Sequence, residues 1–369
     1  MAVSRITASV FRSLSKDIIQ ALADISVNTV TIATARSPVL EKGGLLGRTQ
    51  IVDDPIEIIS LLVPAEAEDQ IVSQIVTVGR LYLPGRGSVW SENVELPYSD
   101  NFNYVNQVQV DGLSVLDTVR DVTGICCIVQ RGQGNRVGRV ALDMGACVPS
   151  VTFGTGLGVR DKMSLLRITI PADKELIWTT TSSSDADILF NGMIEVGQLD
   201  QPGKGFIYMF PLRQAHLNMD VTRGILNAAA STEQIIVAID GLLGSIDWRQ
   251  RVYVGDAHSE RTYLTDLVAF SLICDEGSGD ELVGAAMAAG AAGASITRIR
   301  QINLADYTLG SRAGKPVARE ACYMIIDKDS VPRILDALKG VGCFNEEHSG
   351  LVVTSHTDRA FTYLPPKAD

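Results

Sequence analysis

Apolar positions along the chain follow two periods. Ile71, Val72, Ile75 and Val78 lie at helical spacing, and so do Leu189, Phe190, Met193 and Val196. Each set gives a helix one apolar face. Short apolar runs precede each set, Ile58–Val63 and Leu176–Thr181, and have the length and composition of strands. Read in full in mid-chain, the pattern predicts strand Ile125–Gln130, helix Gly134–Ala146 with Gly145 as a stop, and strand Val148–Phe153. A long connection, Gly154–Lys174, follows, partly extended at Leu165–Ile170. Then come strand Glu175–Thr181, helix Ser184–Val196 with Ser184 as N-cap, and strand Phe206–Leu212.

That order, β-α-β-β-α-β, is the split-βαβ or ferredoxin-like plan. It also fits the start of the chain: strand Ile6–Arg12, helix Ser15–Ile25, strand Asn28–Thr34 and a connection to about Pro55. A third copy lies 145 residues beyond the second: Glu320 falls on Glu175, and Gly342 and Gly350 on Gly197 and Gly205. Ile334, Leu335, Leu338 and Val341 repeat the helix face. Upstream, the same offset places Ala286 on Ala141, Gly290 on Gly145, and Ser295–Ile296–Thr297 on Ser150–Val151–Thr152. A constant offset marks an internal repeat. The expected fold is α+β: three tandem ferredoxin-like modules at 1–97, 123–212 and 265–369. Residues 98–122 form a linker and 213–264 an insertion, in which Glu233–Ile246 is either strand or helix. Two helices cover one face of each sheet, so the other face needs a different cover.

Between second helix and last strand, two copies carry one nine-residue pattern, Gly-x-Leu-x-x-Pro-Gly-basic-Gly. It reads Gly79–Arg80–Leu81–Tyr82–Leu83–Pro84–Gly85–Arg86–Gly87 and Gly197–Gln198–Leu199–Asp200–Gln201–Pro202–Gly203–Lys204–Gly205. Glycines let a ligand approach the main chain, and inward-turned N–H groups beside a cation cradle an anion. The alternative is a plain helix-to-strand turn. In the third copy, Glu347, His348 and Ser349 replace Pro, Gly and the basic residue, and Glu346 and Glu347 would repel phosphate.

Composition narrows the choice of partners. The 369 residues carry net charge −11, with 46% hydrophobic and 20% charged residues, as in an ordinary globular chain. Acidity and the lack of a basic, aromatic-laced stripe argue against nucleic acid. The longest small-apolar run, Leu282–Ala294, is too short to cross a bilayer, and Met1–Val10 holds no signal-peptide core. Six cysteines without a CxxC pair suit reduced, buried thiols in a cytoplasmic protein. Adjacent on one strand, Cys126 and Cys127 should face opposite ways.

The two nine-residue loops look like the B-loop of the PII signalling proteins and their PII-like relatives. Val148–Gly158 resembles the start of that family's T-loop. The resemblance covers nearly all of the second copy, most of the first, and the third mainly through the second. It implies a trimer with sheets facing inward, here closed within one chain as an intramolecular pseudo-trimer, binding ATP, ADP or AMP in clefts between neighbours. Carried onto this chain, the nucleotide-binding residues are Gly79, Arg80, Leu81, Gly85, Arg86 and Gly87 in the first copy. In the second they are Gly197, Gln198, Leu199, Gly203, Lys204 and Gly205. Arg86 and Lys204 would neutralise phosphate, and the third loop would stay empty. The resemblance also implies a regulated protein target, a transporter or a metabolic enzyme, met through the long loops Ser37–Pro55, Gly154–Lys174 and Ile299–Arg319. Contact with a membrane would be peripheral, without insertion. The chain departs from the family in three places: the third loop has Glu347, His348 and Ser349 for Pro, Gly and the basic residue; the first copy's last strand lacks a following basic residue, where the second offers Arg213; and the first two long loops lack tyrosine.

Other chemistry has weaker support. Gly154-Thr-Gly-Leu-Gly158 follows a strand, but a dinucleotide-binding turn must open a helix, and Arg160–Ile170 reads as extended or irregular. His216, His258, His348 and His356 lack metal-ligand spacing, although a metal-binding CutA-like protein would share the architecture. Glu57, Glu175 and Glu320 align at strand starts, which points to a repeated structural role rather than catalysis. The alternative function is an enzyme or a structural adaptor on a threefold pseudo-symmetric scaffold. Polar residues converging from different copies would be its sign, and Asp256, His258, Glu260 and Arg261 of the insertion are candidates.

Overall fold

The computed structural model describes residues 1–43, 48–158, 172–218, 222–223, 261–304 and 316–364. Leu165–Ile170, Glu233–Ile246, Asp256, His258 and Glu260 lie outside the described residues. The molecule is a mixed α and β structure with an extensive, mainly antiparallel sheet. The first segment runs β1 (Val3–Phe11), α1 (Arg12–Asp24), β2 (Thr29–Gly43), β3 (Arg48–Pro64), α2 (Glu68–Gly79) and β4 (Gly87–Val94). The second runs β5 (Val122–Gln130), α3 (Gly134–Asp143), β6 (Ser150–Gly158), β7 (Asp173–Ser182), α4 (Ala186–Gly197) and β8 (Gly205–Pro211). Short strands β9 (Gln214–His216) and β10 (Thr222–Arg223) follow. The third segment runs β11 (Leu267–Asp275), α5 (Gly279–Ala288), β12 (Gly293–Asn303), β13 (Val317–Asp327), α6 (Val331–Gly340) and β14 (Leu351–Thr357), and β15 (Arg359–Thr362) closes the chain's described part.

Within each segment the first strand lies between the third and fourth, and the third also pairs with the second, all antiparallel. Helices cover one face because their apolar stripes meet it. Ile71, Val72 and Ile75, then Leu189, Phe190 and Met193, then Ile334 and Leu338 are buried in three separate cores. The opposite faces meet one another. Trp90, Cys126, Tyr208 and Leu267, drawn from all three segments, share one further cluster. Cys127 lies under the helices and Cys126 in this shared cluster, so the two faces of β5 serve different cores. The second strands join the segments: β12 pairs with β2 (Ile299↔Ala33) and with β6 (Ser295↔Gly156), and β2 meets β6 at Arg36↔Val151.

Several local expectations are corrected. Ser37–Gly43 and Arg48–Pro55 are strand rather than loop: β2 and β3 continue as a paired arm from Thr31↔Ser60 to Gly43↔Arg48. Val39, Leu142 and Val148 bury together, with Leu40 and Val52 against them, and this contact with the second segment holds the arm extended. Gly154–Gly158 likewise belongs to β6, where Thr155 pairs with Ile296 and with Asp173, so no dinucleotide turn forms there. The connection Ile299–Arg319 shortens too, since β12 reaches Asn303 and β13 begins at Val317; residues 305–315 lie outside the described part. Ser184 is not the cap of α4, which starts one residue after Asp185; Ser184 Oγ bonds Ser182 Oγ at 2.9 Å instead. Helix α3 stops at Asp143, and Gly145 follows at φ +68°. Glu57 sits well inside β3, not at its start. Residues 98–106 pack closely: Asn106 Oδ1 accepts from the N–H groups of Asn28 and Thr29, each at 2.8 Å.

Candidate functional site: a cleft between the second and third segments

The first half of each glycine loop is a helix stop. Arg80 and Gln198 adopt left-handed backbone at φ +49° and +54°. Leu81 N donates to Val76 O at 2.9 Å, and Leu199 N to Ile194 O at 3.0 Å. These bonds satisfy carbonyls at the helix end. Leu81 and Leu199 then bury in the first and second cores. A side chain at Gly79 or Gly197 would press on that leucine, with a Cβ 2.8 Å from Leu81 Cδ2 or 3.1 Å from Leu199 Cδ2. The third loop stops its helix likewise, with Gly342 at φ +74° and Cys343 N bonded to Leu338 O at 3.0 Å. So Gly-x-Leu is architectural, and only the Pro-Gly-basic-Gly half remains for a ligand.

That second half differs between copies. Gly85 and Gly203 both take positive φ, +74° and +71°. Arg86 Nε donates to Gly79 O at 2.8 Å, so part of its guanidinium braces its own loop. Gly85 N donates to Asn218 Oδ1 at 3.2 Å. In the second copy, Gln130 Nε2 donates to Gly203 O at 3.0 Å, and Lys204 is half-buried. In the third loop, Glu346 and Glu347 are exposed, and buried His348 shares a hydrogen bond of 3.0 Å between its Nδ1 and Ser278 Oγ. A cation still reaches that loop from elsewhere: Arg319 Nη2 donates to Ser349 O at 2.6 Å, and Asp275 holds its other arm at 2.5 Å.

A cavity of about 500 Å³ opens beside the second loop. The second segment supplies Ile128, Gly156–Gly158, Lys174, Phe206 and Tyr208; the third supplies Ala292–Ser295, Tyr323 and Ile325–Asp327. Thr362 and Leu364 close one side. β15 brings them there by pairing with β8, Thr362↔Phe206, and Thr362 Oγ1 donates to Gly205 O at 2.8 Å. Phe206 directly follows Gly205, so the glycine loop leads into the cavity wall. The lining is apolar with a few polar groups: one cation, one carboxylate, two phenols and two hydroxyls. That is the make-up and size of a small-molecule site. Burial pushes both Tyr208 and Tyr323 hydroxyls above the ordinary phenol value, so they stay protonated as donors.

Behind this cavity the segments meet in a polar knot. Arg5 pairs with Glu92 at 2.9 Å, and its Nη1 donates to Ser271 Oγ at 3.4 Å. Burial alone would lower the Arg5 pKa, but Glu92, Tyr323 and Tyr208 outweigh it and raise it. Polar groups of three segments therefore converge; Arg5 pairs with Glu92 Oε1, while the buried Glu92 Oε2 has no hydrogen-bond partner among the described residues.

The three aligned glutamates sit where their strands pass helix starts. Glu175 Oε2 accepts from Gly132 N at 3.0 Å and Gly134 N at 2.6 Å, neutralising the first turn of α3. Glu320 Oε2 accepts from Gly279 N at 2.8 Å, at the start of α5. Two glutamates also bridge segments: Arg36 reaches Glu175 at 3.0 Å, and Arg300 reaches Glu57 at 2.6 Å. Arg213 is taken as well, by Glu68 at 2.8 Å. Among the described residues, no cluster of His, Cys, Asp and Glu has the geometry to hold a metal ion. No described helix is long and apolar enough to cross a membrane.

Motif spacing located the glycine loops but missed Lys174, Phe206, Tyr208, Tyr323 and Asp327. Lys174 neighbours the aligned Glu175, yet nothing local marks it as facing a cleft. Its place follows only from the register of β6, β7 and β12. No family model matches the chain, and no curated protein does. Among solved structures, the chain is similar to aspartate kinase from Synechocystis at 9% identity and a TM-score of 0.21. The match covers 94% of this chain and 43% of the kinase, so the chain spans less than half of that protein's length.

Proposed function

We propose that the chain is a PII-like regulatory protein. In this reading its three β-α-β-β-α-β segments are ferredoxin-like modules closed into an intramolecular pseudo-trimer, and an adenine nucleotide binds in the cleft between the second and third. The observation that carries it is the 500 Å³ cavity whose wall begins at Phe206, directly after the Gly203-Lys204-Gly205 turn. Phe206 and the two tyrosines offer aromatic faces for a base, and Asp327 can accept from an exocyclic amine. Lys174 in the wall and Lys204 in the loop supply charge for phosphates. Binding would tie the second segment to the third, and a protein target, a transporter or metabolic enzyme, would read the change.

Calorimetry with ATP, ADP and AMP tests the reading. A charge-assisted contact contributes about 1.5–3 kcal/mol, so Lys204→Ala and Lys174→Ala should each weaken binding about tenfold to a hundredfold. Absence of binding by all three nucleotides, or binding indifferent to both substitutions, refutes it. Among the described residues, the polar knot at Arg5, Glu92, Tyr208 and Tyr323 is the feature that favours an enzyme, and nucleotide turnover in the same samples would reveal one.

A further inference from the structure

The three junctions between segments can be compared position by position. Thr31↔Ser60 in the first segment and Ser295↔Tyr323 in the third stand the same distance from Glu57 and Glu320. Both pairs line a cavity, but the one at the third–first junction measures about 90 Å³ against about 500 Å³ at the second–third. Ile273 and Leu351 stand in the smaller where Ile128 and Phe206 stand in the larger. The same place in the architecture is open at one junction and nearly shut at another.

What shuts it is the chain itself. At the third–first junction, Asn101 Oδ1 accepts from Val352 N at 2.9 Å, and its Nδ2 donates to Gly350 O at 3.0 Å. Tyr98 stacks on Phe344 with centroids 3.8 Å apart, and Tyr104 OH donates to Ser349 O at 3.3 Å. At the first–second junction lies the stretch after β8. β9 pairs with β4 (Val89↔His216), as β15 pairs with β8, and the chain runs on to Asn218. Asn218 Oδ1 accepts from Gly85 N at 3.2 Å, its N–H donates to Ser88 Oγ at 2.7 Å, and its carbonyl accepts from Val148 N at 3.0 Å. It spans the junction and takes the amide that the Pro84-Gly85 turn presents. A side-chain amide oxygen there does what an anion's oxygen would do, without charge.

We infer that two of the three junctions carry built-in occupants, Asn218 at the first loop and Tyr98–Tyr104 at the third, leaving one ligand site per chain at the second–third cleft. The class of ligand rests on the reading above; the occupancy by the chain does not. Hydrogen exchange of the Gly85 amide, without ligand, tests the occupancy. In the wild type it should exchange at least about tenfold more slowly than in Asn218→Ala, since a bonded amide must open first. Equal, fast exchange in both proteins overturns the inference. Calorimetry with ATP tests the count: one site per chain, abolished by Ala292→Trp at the rim of the open cleft and kept by Arg86→Ala. Two or three sites, or loss of binding in Arg86→Ala, overturns it. Should ATP not bind at all, the functional reading falls, and Gly85 exchange still decides the inference.

Discussion

Replacing Glu175 by alanine removes one carboxylate from two duties. Its side chain is 4% exposed. The Gly134 amide, buried at the start of α3, loses its 2.6 Å acceptor, and a buried, unsatisfied donor costs about 1–3 kcal/mol. Gly132 is exposed, so water replaces the second bond. Arg36, 16% exposed, loses its partner across the junction but keeps Asp53 at 2.7 Å and Asn135. Orphaning a fully buried charge costs about 3–5 kcal/mol, and the remaining partners reduce that here to about 1 kcal/mol by the same reasoning. The expected loss is therefore about 3 kcal/mol. Glu320→Ala is the internal control, since Glu320 accepts from Gly279 N but has no arginine bonded across its junction among the described residues. It should cost about 1–2 kcal/mol. Urea unfolding followed by far-ultraviolet circular dichroism measures both. Arg36→Ala combined with Glu175→Ala should cost less than the sum of the single changes, because the pair interacts directly. A Glu175→Ala loss below about 1 kcal/mol, or no larger than that of Glu320→Ala, would refute the assignment of these glutamates to helix starts and junctions.

Two further outcomes are expected. A Cβ on Gly205 would overlap the carbonyl of Ile128, and one on Gly87, at φ +141°, would overlap that of Ser9. Either alanine substitution should lower stability by about 2 kcal/mol or more, read from the same urea curves; an unchanged midpoint would show that the loop–strand contact is loose. All six cysteines are free and buried. Burial raises the thiols of Cys126, Cys127 and Cys147, and pushes Cys343 up to about 12. They should resist alkylation in the native protein at pH 8 and react on unfolding. Because the folded thiols stay neutral while unfolded ones ionise near pH 8.5, their contribution to stability is complete below that pH and declines above it. Rapid native labelling, or stability rising across that range, would contradict the burial.

The helices were legible because a 3.6-residue period needs no knowledge of neighbours. Ile71, Ile75, Leu189 and Met193 are fully buried where the spacing put them. The β2–β3 arm was not, since Pro38, Gly43, Asp53, Asp54 and Pro55 carry the local marks of a loop. Thirteen consecutive rungs and the cover given by Leu142 and Val148 override those marks. The glycine loops stood out by spacing, but spacing alone could not divide them into a helix stop and a ligand-facing turn. The cleft was invisible for a different reason. Its wall joins residues from Ile128 to Leu364, brought together by strand register between segments, and no short stretch contains enough of it to form a motif.

The bridges between segments have a genetic consequence. In a ring of identical subunits, one codon change appears at every junction at once, and no junction can drift alone. Here each junction is spelled by its own codons. Arg36 meets Glu175 at the first and Arg300 meets Glu57 at the last. Thr155 stands in the matching place on β6, across from the segment that carries Glu320. A substitution at one junction therefore leaves the residues that bridge the other two unchanged.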